Sequence, residues 1–155
     1  MSTRDPKDMS PELYAKYVLW DEKMKAAGLQ YCLTRVACTY KEQVALYAQG
    51  RDSLYNVNHY RWLAGLPPIG TPENKKITWT LKSLHIIDLD DQEEENDKAR
   101  AFDFAIIAGG KPTWDIKADT NQSGGPDYAE AGHLWESVGG VWGGRWKNPD
   151  QPHCQ

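Results

Sequence analysis

Residues 101–107 read Ala101-Phe102-Asp103-Phe104-Ala105-Ile106-Ile107, an apolar segment interrupted by one acid. Glycines follow at 109 and 110, so the pattern predicts a buried β-strand that ends in a turn. Alternation along a strand places Asp103 on the face opposite its two phenylalanine neighbours. A carboxylate on so apolar a strand must be paired or bound to a metal ion, because burying it alone is prohibitive in free energy.

Helix and strand signals flank this segment on both sides. Capping residues and apolar periodicity predict three helices, over 11–27, 42–49 and 128–138. Two more strands are predicted over 29–37 and 77–81, and residues 51–74, rich in glycine and proline, are expected to form a long irregular connection. Short helices mixed with three or four strands, without strict alternation, are typical of an α+β domain.

The composition fits one folded domain. At 155 residues we expect a single domain over 1–155, with residues 1–9 as a flexible tail. The net charge of −4 and the scattered basic residues argue against nucleic acid as a partner. No apolar run reaches the roughly 20 residues of a membrane span, so we expect no membrane insertion. The polar N-terminus lacks a secretory signal, which predicts synthesis in the cytoplasm, and the three cysteines are expected to be free thiols.

A possible metal site is spread over separate segments. Asp150 and His153 follow a glycine-rich aromatic turn, His85 closes the segment that begins with the strand predicted at 77–81, and Asp103 lies on the apolar strand. His85, Asp103 and His153 are of the ligand types that zinc accepts, and three ligands leave a position for water. Asp150 is then the candidate general base.

Each of these residues also has an ordinary structural explanation. His85 alone fits a surface or hydrogen-bonded histidine, and Asp150 alone fits a turn residue. Asp103 alone fits an ion pair with Arg100 or Arg51. Taken together, these explanations leave the placement of all four residues without a reason, so the metal site is favoured.

The order of several motifs resembles that of a known family. The resemblance covers roughly residues 30–155 and rests on Gln43-x-x-x-Tyr47-Ala48-Gln49-Gly50-Arg51, Ser83-x-His85, Ala101-Phe102-Asp103-Phe104, Trp142-Gly143-Gly144-x-Trp146 and Asp150-x-x-His153. These motifs are similar to those of zinc peptidases that cleave the stem peptides of bacterial peptidoglycan, namely D-alanyl-D-alanine carboxypeptidases and phage-type L-alanyl-D-glutamate endopeptidases. The resemblance implies an α+β fold with a small antiparallel sheet flanked by helices, shared with the Hedgehog signalling domain.

The same resemblance implies roles for four residues. His85, Asp103 and His153 would bind the catalytic zinc ion, and Asp150 would be the catalytic base. It also implies a phage endolysin, because the chain shows neither a signal peptide nor a wall-binding module. Such an enzyme is made in the cytoplasm and acts on the cell wall after release, with a holin as a partner. We expect it to be a monomer.

The sequence departs from the family pattern at two places. The histidine and aspartate ligands usually lie several residues apart, whereas an acidic run from Asp88 to Asp97 separates His85 from Asp103 here, and we interpret it as a surface loop. The family also carries an arginine in the turn before the Gln43 helix, where it stabilises the developing oxyanion. In this chain Arg35 lies nearby, but the turn itself holds Cys38, Thr39, Tyr40 and Lys41.

A second metal site is predicted between residues 119 and 130. The segment offers oxygen ligands at the spacing of an EF-hand calcium loop, from Asp119, Asn121, Ser123, Gly125, Asp127 and Glu130. Pro126 replaces the usual β-branched residue and no clear helix precedes the loop, so a polar turn without metal is the alternative. The acidic run is a weaker calcium candidate, because Glu93 replaces the glycine and Ala99 the final glutamate, and we expect a solvated loop there.

The sequence therefore predicts a zinc metallopeptidase of peptidoglycan, an L-alanyl-D-glutamate endopeptidase with calcium as a regulator. A D-alanyl-D-alanine carboxypeptidase or dipeptidase is the alternative among enzymes. A non-catalytic, metal-stabilised module that binds the cell wall is the alternative from another class, and the missing arginine motivates it. A third is a small calcium-binding interaction protein whose His-Asp-His set is accidental.

Overall fold

The computed structural model describes residues 2–88 and 97–155. Its described helices are α1 (Pro11–Ala26), α2 (Tyr40–Ala48), α3 (Leu54–Leu63) and α4 (Asp127–Ser137). Its strands are β1 (Tyr31–Arg35), β2 (Phe102–Ala108), β3 (Lys111–Thr113) and β4 (His153–Cys154). Short 3-10 helices lie at Pro6–Asp8 and Gly143–Arg145. This mixture confirms the predicted α+β class.

The strand β2 is the centre of the sheet, because β1, β3 and β4 all pair with it in antiparallel orientation. β1 lies along one edge, where Arg35 is opposite Asp103. β4 and β3 share the other edge, and there His153 is opposite Asp103. The small antiparallel sheet is thus confirmed, and its register places an arginine and a histidine on either side of the same aspartate.

One face of the sheet packs against α1 and α4. Phe102 and Phe104 are fully buried there, with ring centroids 5.3 and 5.2 Å from that of Trp20 on α1. Trp135 of α4 lies 5.0 Å from Phe102 and extends the cluster. The indole N–H of Trp20 donates to a main-chain carbonyl of α4 at 2.9 Å, so its polar atom is satisfied inside the core. Because the phenylalanines face the helices, Asp103 faces the opposite side of the sheet, as alternation predicts.

The helix α3 corrects the prediction of an irregular connection over 51–74. The hydroxyl of Ser53 caps this helix by accepting from the N–H of Asn56. Val57 and Arg61, four residues apart, are both buried and form its inner face. The apolar pattern of the segment is weak because an arginine occupies one of its buried positions. No helix in the described part of the chain is long and apolar enough to cross a membrane.

The strand predicted at 77–81 is wrong. Within the described residues this segment joins no sheet and runs as irregular chain. Its alternating apolar side chains face solvent, with Ile77 45%, Trp79 65% and Leu81 36% exposed. The alternation of apolar and polar residues that predicted a half-buried strand therefore belongs to a segment whose apolar side chains lie on an open surface.

The expectation that residues 1–9 form a flexible tail is also wrong for the described residues 2–9. The main chain of Thr3 accepts from the N–H of Val36 and donates to the carbonyl of Ala37, both at 2.7 Å. The hydroxyl of Ser2 donates to the carboxylate of Glu42, and Met9 is buried. Pairing with the chain just beyond β1 thus fixes a segment whose polar composition suggested disorder.

Candidate metal centre

Two histidines and one aspartate converge on the polar face of the sheet. Ligand atoms of His85, Asp103 and His153 all lie within 4.8 Å of one another. Asp103 Oδ1 is 3.3 Å from His85 Nε2 and 3.0 Å from His153 Nδ1. The structure therefore brings together the three residues that the sequence singled out from separate segments.

The sheet and its extension hold these three residues. Asp103 and His153 are partners in the pairing of β2 with β4. The carbonyl of His85 accepts from the N–H of Cys38 at 2.8 Å, and the carbonyl of Cys38 accepts from the N–H of Ile87 at 2.9 Å. This bridge attaches the His85 segment to the chain that follows β1, so the main chain around each of the three residues is fixed by hydrogen bonds.

The hydrogen bond of His85 determines which of its nitrogens faces the cluster. Nδ1 lies 2.7 Å from the carbonyl oxygen of Val36, which can only accept, so Nδ1 carries a hydrogen, and in the neutral ring Nε2 keeps its lone pair. Nε2 is buried and has no partner of hydrogen-bond geometry among the described residues. In the neutral ring this buried lone pair faces a carboxylate, which is unfavourable unless a proton or a metal cation lies between them. Two imidazole nitrogens and one carboxylate oxygen form a ligand set that zinc accepts, so the residues fit that ion.

The electrostatics of the cluster keep Asp103 ionised. Burial alone would raise the pKa of Asp103, but hydrogen bonds and charge from His153 and His85 outweigh burial and hold its pKa below the ordinary value. Burial alone would lower the pKa of His153, but the bond and the charge of Asp103 raise it overall. A proton on His153 therefore takes the place that a divalent cation would take, and the two compete.

Asp150 lies in the turn that leads into β4. Its N–H donates to the carbonyl of Gly143 at 2.9 Å, and its carbonyl accepts from the N–H of His153 at 3.2 Å. A Cβ at Gly143 would lie 2.5 Å from the Asp150 carbonyl oxygen, so only glycine permits this approach. Partial desolvation by the surrounding protein raises the pKa of Asp150, and the negative charge of Asp103 raises it further. The residue still remains accessible to solvent. A carboxylate with a raised pKa is a stronger base, which suits the role predicted for it.

The cluster opens into a cleft of about 820 Å³, which is within the size range of ligand sites. Residues 77–85 form one wall and residues 146–150 the other. Trp79 is 65% exposed on the first wall, and Trp146 is 39% exposed on the second. The ring of Trp146 lies 4.9 Å from that of His153. An extended peptide can therefore reach the cluster between two apolar, accessible rings.

Arg35 lines the same cleft. Its Nη2 lies 2.8 Å from Oε1 of Gln43 and 2.9 Å from Sγ of Cys38. Gln43 is fully buried, and its Nε2 donates to the carbonyl of Thr80 at 2.7 Å, on the cleft wall. Arg35, at the end of β1, is thus a positively charged side chain held beside Cys38. The sequence alone could not show that it points into the cleft.

The turn of the predicted calcium loop is formed by Asp119. Its carboxylate accepts from the N–H of Ser123 at 2.9 Å and of Gly124 at 3.0 Å. Gly124 has φ of +91°, a conformation that favours glycine, and Gln122 has φ of +57°. The segment is therefore wound tightly around the side chain of its first acid.

Glu130 gathers further oxygen-bearing groups of this loop. Its Oε2 accepts from Asn121 Nδ2 at 3.1 Å and from Ser123 Oγ at 2.9 Å, and that hydroxyl is 3.5 Å from the carbonyl of Gly125. Asp127 differs, because it is fully buried and its Oδ2 accepts from the N–H and hydroxyl of Thr120 at 2.9 and 2.7 Å. Asp119, Asn121, Ser123 and Glu130 are thus linked by hydrogen bonds within the loop, whereas Asp127 is engaged with Thr120, and the acids of this loop form no metal-binding cluster of three among the described residues.

One contact of the site was missed from the sequence, and one predicted segment is not described. Gln155 Oε1 lies 2.9 Å from Nε2 of His153. The available signal was spacing, since residues two apart on a strand face the same side. Residues 89–96, most of the acidic run interpreted as a surface loop and weaker calcium candidate, lie outside the described residues.

A family model, a curated relative and a solved structure are similar to this chain. A family model described as D-alanyl-D-alanine carboxypeptidase matches residues 97–155, which include Asp103, Asp150 and His153 but not His85. The peptidoglycan L-alanyl-D-glutamate endopeptidase CwlK of Bacillus subtilis (strain 168) is 29% identical over 140 residues, covering 86% of this chain and 67% of that protein. The crystal structure of the Serratia marcescens L-Ala D-Glu endopeptidase ChiX matches with a TM-score of 0.55 at 15% identity, covering 100% of this chain and 87% of the other, which shows a shared fold.

Proposed function

We propose that this chain is a zinc-dependent endopeptidase that cuts the L-alanyl-D-glutamate bond of peptidoglycan stem peptides. It is similar to the family of D-alanyl-D-alanine carboxypeptidases and to a peptidoglycan L-alanyl-D-glutamate endopeptidase. The observation that carries this proposal is the cluster of His85, Asp103 and His153 beside Asp150 in an open cleft. The endopeptidase specificity follows the curated relative, which aligns with 86% of this chain.

His85, Asp103 and His153 would hold the zinc ion. Bound zinc supplies a Lewis acid that polarises a carbonyl group and makes water acidic enough to act as a nucleophile near neutral pH. The protein contributes a carboxylate that stays ionised and an imidazole whose Nδ1 donates to the main chain, which leaves Nε2 as the nitrogen that would bind the ion.

Asp150 is proposed as the general base. Its raised pKa gives it the basicity to take a proton from the attacking water and to pass it to the leaving amine of D-glutamate. The close approach at Gly143 fixes the main chain of Asp150 next to that of His153. The base is thus positioned by the same turn that delivers one of the metal ligands.

Arg35 is proposed to stabilise the oxyanion that develops on the scissile carbonyl. A cation fixed before the reaction provides this stabilisation without rearranging in the transition state. The hydrogen bond from Arg35 to the buried Gln43 supplies such fixation. The non-catalytic wall-binding alternative rested on a missing arginine, and the position of Arg35 in the cleft removes that motive.

Digestion of purified peptidoglycan tests the proposal. Zinc-loaded protein should leave L-alanine on the glycan and release peptides that begin with D-glutamate, as identified by mass spectrometry. Asp150→Asn should lower the rate by about 10²- to 10⁴-fold while zinc content, measured by elemental analysis, stays unchanged. Intact peptidoglycan after treatment with zinc-loaded wild type would overturn the proposal.

A D-alanyl-D-alanine carboxypeptidase is the second candidate, because the matching family model carries that description. The same digestion separates the two activities by their products. A carboxypeptidase releases single D-alanine residues and leaves the L-alanyl-D-glutamate bond intact, whereas the endopeptidase releases the peptide and no free D-alanine.

We propose calcium as a regulator at the loop Asp119–Glu130. The support is that Ser123 links the carboxylates of Asp119 and Glu130 by hydrogen bonds, in a segment with the ligand spacing of a calcium loop. Glu130 lies in the first turn of α4, so calcium would order the helix that leads toward the cleft. Calorimetric titration should show binding that Glu130→Gln abolishes. Absence of calcium heat, or heat that this substitution leaves unchanged, would refute the site.

We also propose that the enzyme is a monomeric endolysin that reaches the wall with the help of a holin. The support is the resemblance to phage-type endopeptidases. Cells that express the protein should remain intact until their inner membrane is permeabilised and should then lyse. Lysis without permeabilisation would contradict the need for a holin, and sedimentation as a dimer would contradict the monomer.

A further inference from the structure

The imidazole of His153 is engaged at both of its nitrogens. Nδ1 lies 3.0 Å from Oδ1 of Asp103, and Nε2 lies 2.9 Å from Oε1 of Gln155. An amide oxygen can only accept a hydrogen bond, so Nε2 must be the donor to Gln155. The ionised carboxylate of Asp103 likewise can only accept, so in the zinc-free structure Nδ1 donates to it. When a cation takes the place of the Nδ1 hydrogen, the hydrogen on Nε2 remains and the Nδ1 lone pair faces the cluster.

We propose that Gln155 is a positioning residue of the metal centre, which holds His153 in the tautomer that presents the Nδ1 lone pair to the ion. This inference rests on the proposed zinc centre and adds to it a residue that does not touch the ion. Metal-binding histidines commonly donate their other ring N–H to an oxygen acceptor, and the acceptor sets both the tautomer and the ring orientation.

The main chain of Gln155 is held well enough for this task. Its N–H donates to the carbonyl of Val141 at 3.0 Å, and its carbonyl accepts from the N–H of Val141 at 2.7 Å. The same carbonyl accepts from the indole N–H of Trp135, which is fully buried, at 3.2 Å. Three main-chain hydrogen bonds therefore anchor the residue, and the side chain loses little further freedom when it binds the imidazole.

The second histidine of the cluster is held in the mirror-image manner. His85 donates from Nδ1 to the carbonyl of Val36 and presents Nε2, whereas His153 donates from Nε2 and presents Nδ1. Both rings thus have an oxygen acceptor on the outside and turn their other nitrogen toward Asp103. Substitution cannot remove the main-chain acceptor of His85, but it can remove the side-chain acceptor of His153.

Two substitutions separate acceptor loss from loss of volume. Gln155→Leu keeps the size of the side chain and removes the acceptor, so zinc affinity should fall by about 10- to 100-fold. Gln155→Glu keeps an acceptor oxygen and should retain wild-type affinity or exceed it. Zinc affinity is measured by competition with a chromogenic chelator, and the main-chain contacts of Gln155 predict unchanged unfolding midpoints for both metal-free variants.

A second measurement reads the tautomer directly. Long-range ¹H–¹⁵N correlation spectra of the zinc-loaded wild type should show His153 bound through Nδ1, with hydrogen on Nε2. In zinc-loaded Gln155→Leu the signals should shift toward a mixture of rings bound through either nitrogen. Hydrogen on Nδ1 in the zinc-loaded wild type, or equal zinc affinity in wild type and Gln155→Leu, would overturn the inference.

Neither measurement uses peptidoglycan, so the two proposals fail separately. Zinc-loaded wild type that leaves peptidoglycan intact would refute the proposed activity and leave the role of Gln155 standing. A normal digestion pattern from Gln155→Leu with unchanged zinc affinity would refute the role of Gln155 and leave the activity standing.

Discussion

The substitution Gln43→Leu tests whether a fixed Arg35 matters for catalysis. Gln43 is fully buried, accepts from Arg35 at 2.8 Å and donates to the carbonyl of Thr80 at 2.7 Å. Leucine has a similar volume, so the substitution removes the hydrogen bonds with little change in packing. Arg35 remains in the cleft but loses the contact that orients it.

The structure sets the expected magnitudes. A hydrogen bond to a charged group contributes about 1.5–3 kcal/mol and a neutral one about 1 kcal/mol. Gln43→Leu loses the bond to Arg35 and the two neutral bonds to Thr78 and Thr80, so the free energy of unfolding should fall by about 3–5 kcal/mol. Removal of an oxyanion donor lowers kcat by about 10²- to 10³-fold. Because Gln43→Leu releases the donor without removing it, kcat/KM should fall by roughly 10- to 100-fold.

Gln49 provides a matched control. It is buried like Gln43, accepts from Arg61 at 2.7 Å and donates to the carbonyl of Glu73 at 3.2 Å. Arg61 is not among the residues that line the cleft. Gln49→Leu should therefore lose about 2–4 kcal/mol of stability, comparable to Gln43→Leu, while kcat/KM stays within about twofold of wild type.

Both variants are assayed on a soluble peptide that contains the L-alanyl-D-glutamate bond, at a temperature where denaturant titration shows them fully folded. The prediction separates stability, which both lose, from catalysis, which only Gln43→Leu loses. Equal kcat/KM values for the two folded variants would refute the reasoning, because Arg35 would then act without its anchor or not at all.

Three further outcomes are expected. Gly143→Ala would place a Cβ 2.5 Å from the Asp150 carbonyl oxygen and should lower the free energy of unfolding by about 1–3 kcal/mol. Gly125→Ala, whose Cβ would meet nothing within 4 Å, should leave it unchanged in calcium-free buffer, and denaturant titration compares the two variants. Because the pKa of His153 is raised, the proton competes with zinc up to a higher pH, and zinc affinity should fall about tenfold per pH unit below that pKa; calorimetry in buffers of different ionisation enthalpy detects the released proton. Zinc at about 100 times its Kd should raise the free energy of unfolding by about 2.7 kcal/mol, and an unfolding midpoint that a chelator leaves unchanged would count against a zinc centre in the folded state.

Features that depend on neighbouring residues in the chain could be predicted from the sequence. Ser10 and Thr39 cap α1 and α2 through N–H groups three residues ahead, and such signals lie within one turn of helix. The orientation of Asp103 follows from strand alternation alone. These predictions needed no knowledge of what packs against each element, and the structure agrees with them.

Features that depend on distant partners could not be predicted in the same way. The alternation at 77–81 suits a strand, but the buried Gln43 binds this segment through Thr78 and Thr80, and its apolar side chains line an open surface. The side-chain direction of Arg35 also depends on Gln43, which lies eight positions away on another element. Local sequence patterns were enough to choose the candidate ligands. The positions of Arg35 and of the cleft wall at 77–81 depend instead on tertiary hydrogen bonds to Gln43.

Two carboxylates share the cleft, and their environments push their pKa values in opposite directions. The histidines on either side hold the pKa of Asp103 below its ordinary value, while partial burial and the charge of Asp103 raise that of Asp150. A metal ligand must stay ionised, and a general base must bind a proton readily, so each shift suits one role and opposes the other. The opposite shifts of the two acids therefore support the proposed division of roles, with Asp103 as metal ligand and Asp150 as base. Exchange of their roles would require the histidines to surround Asp150 instead, and the pairing of β4 with β2 prevents this, because it places His153 opposite Asp103.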